Sequence, residues 1–407
     1  MLRRQATAAL FYLASRFSVG SSMSTSASTT GAASATTVNL LDLASACVAC
    51  TVTASRSIRQ IAQPAGDVDD VKNIRLKDDG SFVTDADFAA QGVIVQAIQT
   101  ICLDLLIVGE ESPEEMAQHM GDHAVLDDAI FQRTRRELRL RYHQQQQELA
   151  TAVLPLAPGS AAANCDDDET TGSANDPLDT TIDASRVTVI VDPLDGTKSY
   201  AHGDYDSVSV LIAIIVDCQP VFGVISKPFG YPGLTAILDT PCVSIYGGPL
   251  IKGVFIAGGE RVVASPVHSS ATMSTKEDLP RAVISGSRSK GVVHDFCVHL
   301  GSKGLIYPEP MLVSGAGEKS LRLILQQEKE ALWFFPKGGT SLWDVAAPDA
   351  LLRSLGGKLT DKFGNEMDYN KPRSEAENVD GVIACIDANL HAECIRLFQE
   401  GDWGTRA

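Results

Sequence analysis

Apolar positions recur at near-helical spacing over residues 38–65. Leu40, Leu41, Ala44, Cys47, Val48, Ile58 and Ile61 carry the pattern, and Pro64 with Gly66 ends it. A second helix is predicted from the Thr84-Asp85 pair, either of which can cap it, to about residue 106. A short apolar strand at 105–108 then closes on Gly109-Glu110-Glu111-Ser112. A central strand is expected at 187–191, where Val-Thr-Val-Ile-Val runs into Asp192. Pro193 has no N–H to donate, so ladder pairing is expected to stop there. Residues 207–216 and 221–226 read as a hairpin turned by Asp217-Cys218-Gln219-Pro220, and 242–264 as short strands between glycines. Up to about residue 275 the pattern is helices followed by an antiparallel meander, an α+β arrangement.

From Arg281 onward strand and helix alternate. Strands are expected at 282–285, 311–313, 331–335, 358–360 and 382–385. Helices are expected at 292–300, from the Gly315-Ala316-Gly317-Glu318-Lys319 segment to about 327, at 343–355 and at 389–399. The expectation is therefore a chain of α/β class with two domains, an α+β one over 38–275 and an α/β one over 276–407. Residues 113–185 interrupt the first. They are polar, with a four-Gln run at 144–147 and the acidic run Asp166-Asp167-Asp168-Glu169, and read as a surface insertion, partly disordered, with a short amphipathic helix or two. The acidic run lacks the alternating ligands and central Gly of an EF-hand loop and reads as solvated.

Composition narrows the function classes. Hydrophobic residues make up 44% and charged residues 21%, ordinary for a globular chain. A formal net charge of −17 argues against nucleic acid or an anionic membrane as the main partner. No apolar run approaches the roughly 20 residues that span a bilayer. The nine cysteines are odd in number and scattered, which does not look like a disulfide framework. Cys47 and Cys50 read as small buried residues on a helix. Residues 1–37 stand apart. They carry Arg3, Arg4 and Arg16, no acid, and a Ser/Thr/Ala/Gly-rich stretch at 18–37. That composition is that of an organellar transit peptide, directing the chain to a mitochondrion or plastid. A secretory signal and a plain disordered tail in a cytoplasmic protein are the alternatives.

Candidate chemistry lies at the ends of these elements. Asp192 and Asp195 sit three residues apart where the central strand ends, with the Leu194 carbonyl between them. Two carboxylates and a carbonyl are hard oxygens and suit Mg²⁺ better than a soft metal. Asp87 falls in the first turn of its helix, where the helix dipole alone accounts for a carboxylate. Glu110 and Glu111 follow a strand, and Asp344 opens a helix in Trp343-Asp344-Val345-Ala346-Ala347. Each has an ordinary explanation singly. Together, in a chain with two kinds of domain, they suggest a multi-metal site at a domain interface, of the sort that binds phosphate and activates water.

These segments resemble the inositol monophosphatase superfamily of lithium-sensitive, Mg²⁺-dependent phosphatases. The motifs are Gly-Glu-Glu at 109–111, Asp-Pro-Leu-Asp-Gly-Thr at 192–197 and Trp-Asp-x-Ala-Ala at 343–347, in the family's order. The resemblance implies a layered α-β-α-β-α sandwich. Within the superfamily the chain looks most like the 3′(2′),5′-bisphosphate nucleotidases, through Thr197-Lys198-Ser199-Tyr200, Ser287-Arg288-Ser289 and Gly315-Ala316-Gly317-x-Lys319. Inositol polyphosphate 1-phosphatases share several of these. Lys290 stands where the nucleotidases commonly have a His, and Ser341-Leu342 where basic residues are common.

The resemblance implies a first metal held by Glu110, Asp192 and the Leu194 carbonyl, and a second held by Asp192, Asp195 and Asp344. Glu111 would serve a weaker third site, so the cofactor is two or three Mg²⁺ ions. Asp87 and Thr197 would orient and deprotonate the attacking water. Phosphate would meet the backbone N–H groups of Gly196 and Thr197, and Ser289, Lys290 and Lys319 would face the rest of the substrate. The implied partner is a small phosphate monoester, above all adenosine 3′,5′-bisphosphate and 3′-phosphoadenylylsulfate, with no nucleic-acid or membrane partner, in a monomer or homodimer. An inositol phosphate phosphatase is the alternative enzyme. A catalytically silent binding subunit is the non-enzymatic one, and the intact set of acids speaks against it.

Overall fold

The computed structural model describes residues 36–62, 74–77, 80–119, 126–153, 177–234, 241–265 and 276–406. Nearly all of the N-terminal segment and the acidic run at 166–169 lie outside them. A short strand β1 (Thr37–Asn39) leads into α1 (Leu40–Ala62), which is buried on nearly every side over its first four turns. The Cys47 and Cys50 thiols lie inside, and burial pushes Cys47 up to about 12. Both are small core residues, as read from the sequence. Strands β2 (Arg75–Leu76) and β3 (Phe82–Val83) form a two-stranded ribbon before α2 (Asp85–Ile101). Thr84, rather than Asp85, caps that helix, accepting the Ala86 N–H at 3.3 Å.

After β4 (Leu106–Gly109) and α3 (Pro113–Gln118) comes α4 (Asp128–Val153), 26 residues long. The sequence led us to expect short helices here on a surface insertion. The helix instead packs on α1, with Leu138 and Tyr142 buried. Its Glu137 accepts both the Tyr246 hydroxyl and the Gly258 N–H at 2.7 Å. Strand β5 (Thr181–Asp183) returns the chain and pairs antiparallel with β1.

The large sheet follows. It comprises β6 (Val187–Asp195), then, after the one-turn helix α5 (Thr197–Ala201), β7 (Ser209–Val216), β8 (Gln219–Lys227), β9 (Val243–Gly248), β10 (Gly253–Ile256) and β11 (Arg261–Val262). Spatial order is β11-β10-β9-β8-β7-β6-β4, antiparallel except that β4 runs parallel to β6. Side chains alternate between its faces. Val189, Val191, Ile212 and Ile214 enter the core shared with α1 and α2. Ile190, Leu211, Ala213 and Ile215 enter the core shared with the C-terminal half. A sheet buried on both faces explains why these strands read as continuous apolar runs.

One expectation changes here. Pairing of β6 with β7 does not end at Pro193. It runs from Val187↔Val216 to Asp192↔Leu211, skips the proline and its neighbour, and resumes at Asp195↔Ser209. The missing proline N–H costs a ladder bond, and the resulting irregularity displaces Pro193 and Leu194.

The C-terminal half holds β12 (Arg281–Ser285), α6 (Val292–Ser302), β13 (Met311–Val313), α7 (Ala316–Leu325), β14 (Glu330–Phe335), α8 (Leu342–Ser354), β15 (Lys358–Thr360), β16 (Val382–Cys385) and α9 (Ala388–Glu400). Its sheet has the order β13-β12-β14-β16-β15, parallel among the first three and antiparallel at β16. α8 lies against β8 and β7 of the large sheet and against β15 of the second, so it belongs to a middle helical layer with α7. On the far face Phe296 of α6 meets Phe334 and Phe398, with ring centroids 4.8 and 5.2 Å away. Helices, sheet, helices, sheet, helices is the five-layer sandwich that the resemblance implied.

Candidate active site

Three carboxylates from two halves of the chain converge. One ligand oxygen each from Asp192, Asp195 and Asp344 lies within 4.8 Å of the others. Asp192 and Asp195 flank the irregularity in β6, which turns both toward one spot. Asp192 Oδ1 accepts the Leu194 N–H at 3.0 Å. Asp344 sits at the third position of α8, where its Oδ2 accepts the Ser341 N–H at 2.6 Å and completes a capping box. Asp195 is held from three directions. Its Oδ1 accepts the Ala316 N–H at 3.0 Å, and its Oδ2 accepts the Gly317 N–H at 2.7 Å and the Ser209 hydroxyl at 2.9 Å. The opening turn of α7 therefore fixes a carboxylate of the large sheet.

Asp87 and Thr197 meet beside this cluster. The Thr197 hydroxyl faces Asp87 Oδ1 at 3.0 Å and the Leu194 carbonyl at 2.9 Å. Asp87 Oδ2 accepts the Thr84 N–H at 2.8 Å and the Thr84 hydroxyl at 2.6 Å, closing the capping box of α2. Gly196, at φ +84°, turns the chain sharply enough to bring Thr197 back under Leu194. Helix α5 opens there and is five residues long.

Glu110 and Glu111 stand at the end of the edge strand β4. Gln91 of α2 brackets Glu111, donating to its carbonyl at 2.7 Å and accepting its N–H at 3.0 Å. The Lys77 ammonium lies 3.3 Å from Glu110 Oε1 and 2.7 Å from Glu111 Oε1. Glu111 Oε2 is buried with no hydrogen-bond partner.

The electrostatics follow from crowding acids out of water. Burial pushes Asp192 well above the carboxylate range, and Glu110, Asp195 and Asp344 add to it. Burial, then Asp195, raises Asp344 to about 8. Burial, then Glu110, raises Glu111 to about 8 and Asp87 to about 7. Burial would lower Lys77, but Glu110 and Glu111 outweigh it and its pKa is raised. The acids repel one another, and one buried oxygen lacks any donor. All the donors are hard oxygens, so the set fits a divalent cation such as Mg²⁺.

The proposed outer contacts fare differently. The Lys319 ammonium is buried, donates to the Gly315 carbonyl at 2.6 Å and lies 5.3 Å from the centre of the Trp333 ring. Burial lowers its pKa against the pull of Asp195 and Asp344. It lies inside the α7 turn, close enough to Asp195 and Asp344 to feel both charges. Ser289 turns its hydroxyl back to the Gly286 carbonyl at 3.4 Å, and Lys290 is exposed on the same loop. The sequence reading did not point to Gln91, Lys77 or Ser209. None sits in a motif, and each acts through a partner remote in sequence.

A profile of the inositol monophosphatase family matches residues 156–401. The chain is 33% identical over 199 residues to 3′(2′),5′-bisphosphate nucleotidase 1 of Mus musculus, covering 49% of this chain and 57% of that protein. It is 31% identical over 220 residues to inositol monophosphatase 3 of Danio rerio, covering 53% and 55%. These matches thus span little more than half the length of the curated relatives. The fold is similar to that of extragenic suppressor protein suhB from Bartonella henselae, with a TM-score of 0.52 at 17% identity over 88% of this chain and 99% of that one. On the family profile, which covers more than half of its length, this chain belongs to the inositol monophosphatase family.

Proposed function

We propose that this chain is a Mg²⁺-dependent phosphomonoesterase whose preferred substrate is adenosine 3′,5′-bisphosphate, from which it removes the 3′-phosphate. The observation that carries the reading is the Thr197–Asp87 pair set against three converging carboxylates. Glu110, Asp192 and the Leu194 carbonyl would hold one ion, Asp192, Asp195 and Asp344 a second, and Glu111 would serve a weaker third. Bound Mg²⁺ supplies Lewis acidity that lowers the pKa of water and neutralises charge on the phosphate and the leaving oxygen. The protein's own part is proton transfer and positioning. The Thr197 oxygen accepts a proton from the attacking water while its own hydroxyl proton passes to Asp87 Oδ1. Asp87 Oδ1 lies 3.0 Å from the Thr197 hydroxyl, within reach for that transfer. The attacking oxygen forms a bond to phosphorus as the ester bond breaks, and the leaving oxygen takes a proton from solvent water. Bifurcation of the Thr197 hydroxyl toward the Leu194 carbonyl orients its lone pairs.

The substrate choice leans on the relatives named as bisphosphate nucleotidases and on the Ser287-Arg288-Ser289 and Gly315-Ala316-Gly317-x-Lys319 segments. Inositol phosphates are the second reading, favoured by the relative named inositol monophosphatase 3. Purified full-length protein should be assayed for phosphate release from adenosine 3′,5′-bisphosphate, inositol 1-phosphate and inositol 1,4-bisphosphate with Mg²⁺. The nucleotide should show the highest kcat/KM. A higher value for either inositol phosphate would overturn the nucleotidase reading, and full activity in excess chelator would overturn the metal mechanism.

A further inference from the structure

We propose that Arg373 is a positioning residue that couples the two walls of the metal site, and the proposal rests on Glu110 and Asp344 being metal ligands. Arg373 lies in the segment between β15 and β16, on the second sheet's side of the molecule. Its guanidinium reaches the open edge of the large sheet, a separation of 264 residues along the chain. Nε donates to the Gly109 and Glu110 carbonyls at 3.1 Å each, and Nη2 donates to the Glu110 carbonyl as well. Nη2 is also 3.7 Å from Glu115 Oε2, the carboxylate that caps α3. The same guanidinium lies 5.9 Å from the centre of the Trp343 ring.

Those contacts fall on both sides of the site. Glu110 directly follows β4, which among the described residues is an edge strand with a neighbour on one side only. The Glu110 N–H donates to the Val191 carbonyl of β6 at 3.1 Å, and the Gly109 and Glu110 carbonyls accept from Arg373, so the guanidinium helps to set the backbone that carries the Glu110 side chain. Trp343 is the residue before Asp344 at the start of α8. Arg373 therefore touches the backbone of one acid and the ring beside another, and nothing about either contact requires it to touch a metal. A planar fork with five N–H donors can serve two carbonyls, a carboxylate and a ring face together, which a lysine ammonium cannot. Metal affinity is steep in ligand placement, since outer residues that orient ligands typically change it by roughly 10–100-fold.

The test is Mg²⁺ binding to full-length protein by isothermal titration calorimetry without substrate, alongside melting temperature in chelator. Three variants are compared with wild type: Arg373→Ala, Arg373→Lys and Arg353→Ala. Arg353 pairs with buried Asp349 at the far end of α8 and serves as the control for a purely structural loss. Arg373→Ala should weaken Mg²⁺ binding about tenfold or more, the value expected for losing charge-assisted hydrogen bonds. Arg373→Lys should fall between it and wild type. Arg353→Ala should lower the melting temperature while keeping wild-type Mg²⁺ affinity. Wild-type affinity in Arg373→Ala, or an equal loss in Arg353→Ala, would overturn the proposal. Wild type that binds no Mg²⁺ would overturn the metal-ligand reading beneath it, a result distinct from either.

Discussion

Asp87 divides its two oxygens between folding and chemistry. Oδ2 takes the Thr84 N–H and hydroxyl and so closes the helix cap, while Oδ1 faces the Thr197 hydroxyl. An asparagine can keep the cap through its carbonyl oxygen, but its NH₂ then meets Thr197 and cannot take a proton. Asp87→Asn should therefore fold, retain Mg²⁺ binding by calorimetry, and lose turnover by roughly 10²–10⁴, the usual worth of general-base help. Turnover near wild type would show that the proton goes elsewhere. Asp195 is constrained differently. A carboxylate has about four lone-pair sites. Three N–H or O–H donors already use three of them, two on Oδ2 and one on Oδ1. One site on Oδ1 is left, so Asp195 can offer a metal a single oxygen.

The acids of the site were legible in the sequence because each closes a strand or opens a helix, positions that patterning reveals. The Lys319 placement was not. Its side chain follows the local turn at Gly315 and the ring of Trp333, and neither contact leaves a periodic signal. Lys77 and Arg373 were hidden for a related reason. Their partners lie 33 and 264 residues away, and polar contacts at that range carry no spacing rule.

At the scale of elements, the strands and helices of the C-terminal half could be read within a residue or two because apolar runs there alternate with glycine-bounded turns. Helix α4 was harder. Its inward stripe is Thr134, Leu138, Tyr142 and Gln145, helically spaced but half polar, so the apolar period is thin. Arg141 and Glu137 add polar contacts to the β10 end of the large sheet, and Arg135 and Arg139 pair with Asp42 and Asp179. The middle layer depends on a close approach. Gly223 of β8 faces α8, and a Cβ there would stand 2.5 Å from the Ala347 carbonyl oxygen and 2.9 Å from its Cα. Both atoms are helix backbone and can yield only if α8 moves as a unit. That helix carries Asp344. Gly223→Ala should destabilise the protein by about 1–3 kcal/mol, the usual cost of overpacking a core. It should also weaken Mg²⁺ binding as α8 shifts away. An unchanged melting temperature would mean that the layers are looser than this contact implies.

At the scale of the molecule, a chain of net charge −17 gathers six of its acids, Asp87, Glu110, Glu111, Asp192, Asp195 and Asp344, at one site. No helix among the described residues is long and apolar enough to cross a membrane. The gathered acids make stability depend on protons and on metal together. Asp87 is raised from 3.8 to about 7, Asp344 from 3.8 to about 8 and Glu111 from 4.5 to about 8. With folded values above unfolded ones, the native state holds more protons than the unfolded chain across that interval. Their contribution to stability is therefore fully present below the unfolded values and is lost as pH rises through the folded ones. Buried His391 runs the other way, lowered from 6.5 to about 4, so its contribution is gained as pH rises toward 6.5 and is constant above. The interval from about pH 6.5 to 8.5 isolates the carboxylates. In chelator, the melting temperature should fall across it. Mg²⁺ binds the native state and stabilises it by mass action, and it competes with the same protons. Its stabilising shift should therefore be larger at pH 8.5 than at 6.5, which flattens the profile. Thermal melts at both pH values, with chelator and with saturating Mg²⁺, read this directly. A metal-free melting temperature that rises with pH, or a Mg²⁺ shift equal at both, would mean that the acids do not share protons and metal in this way.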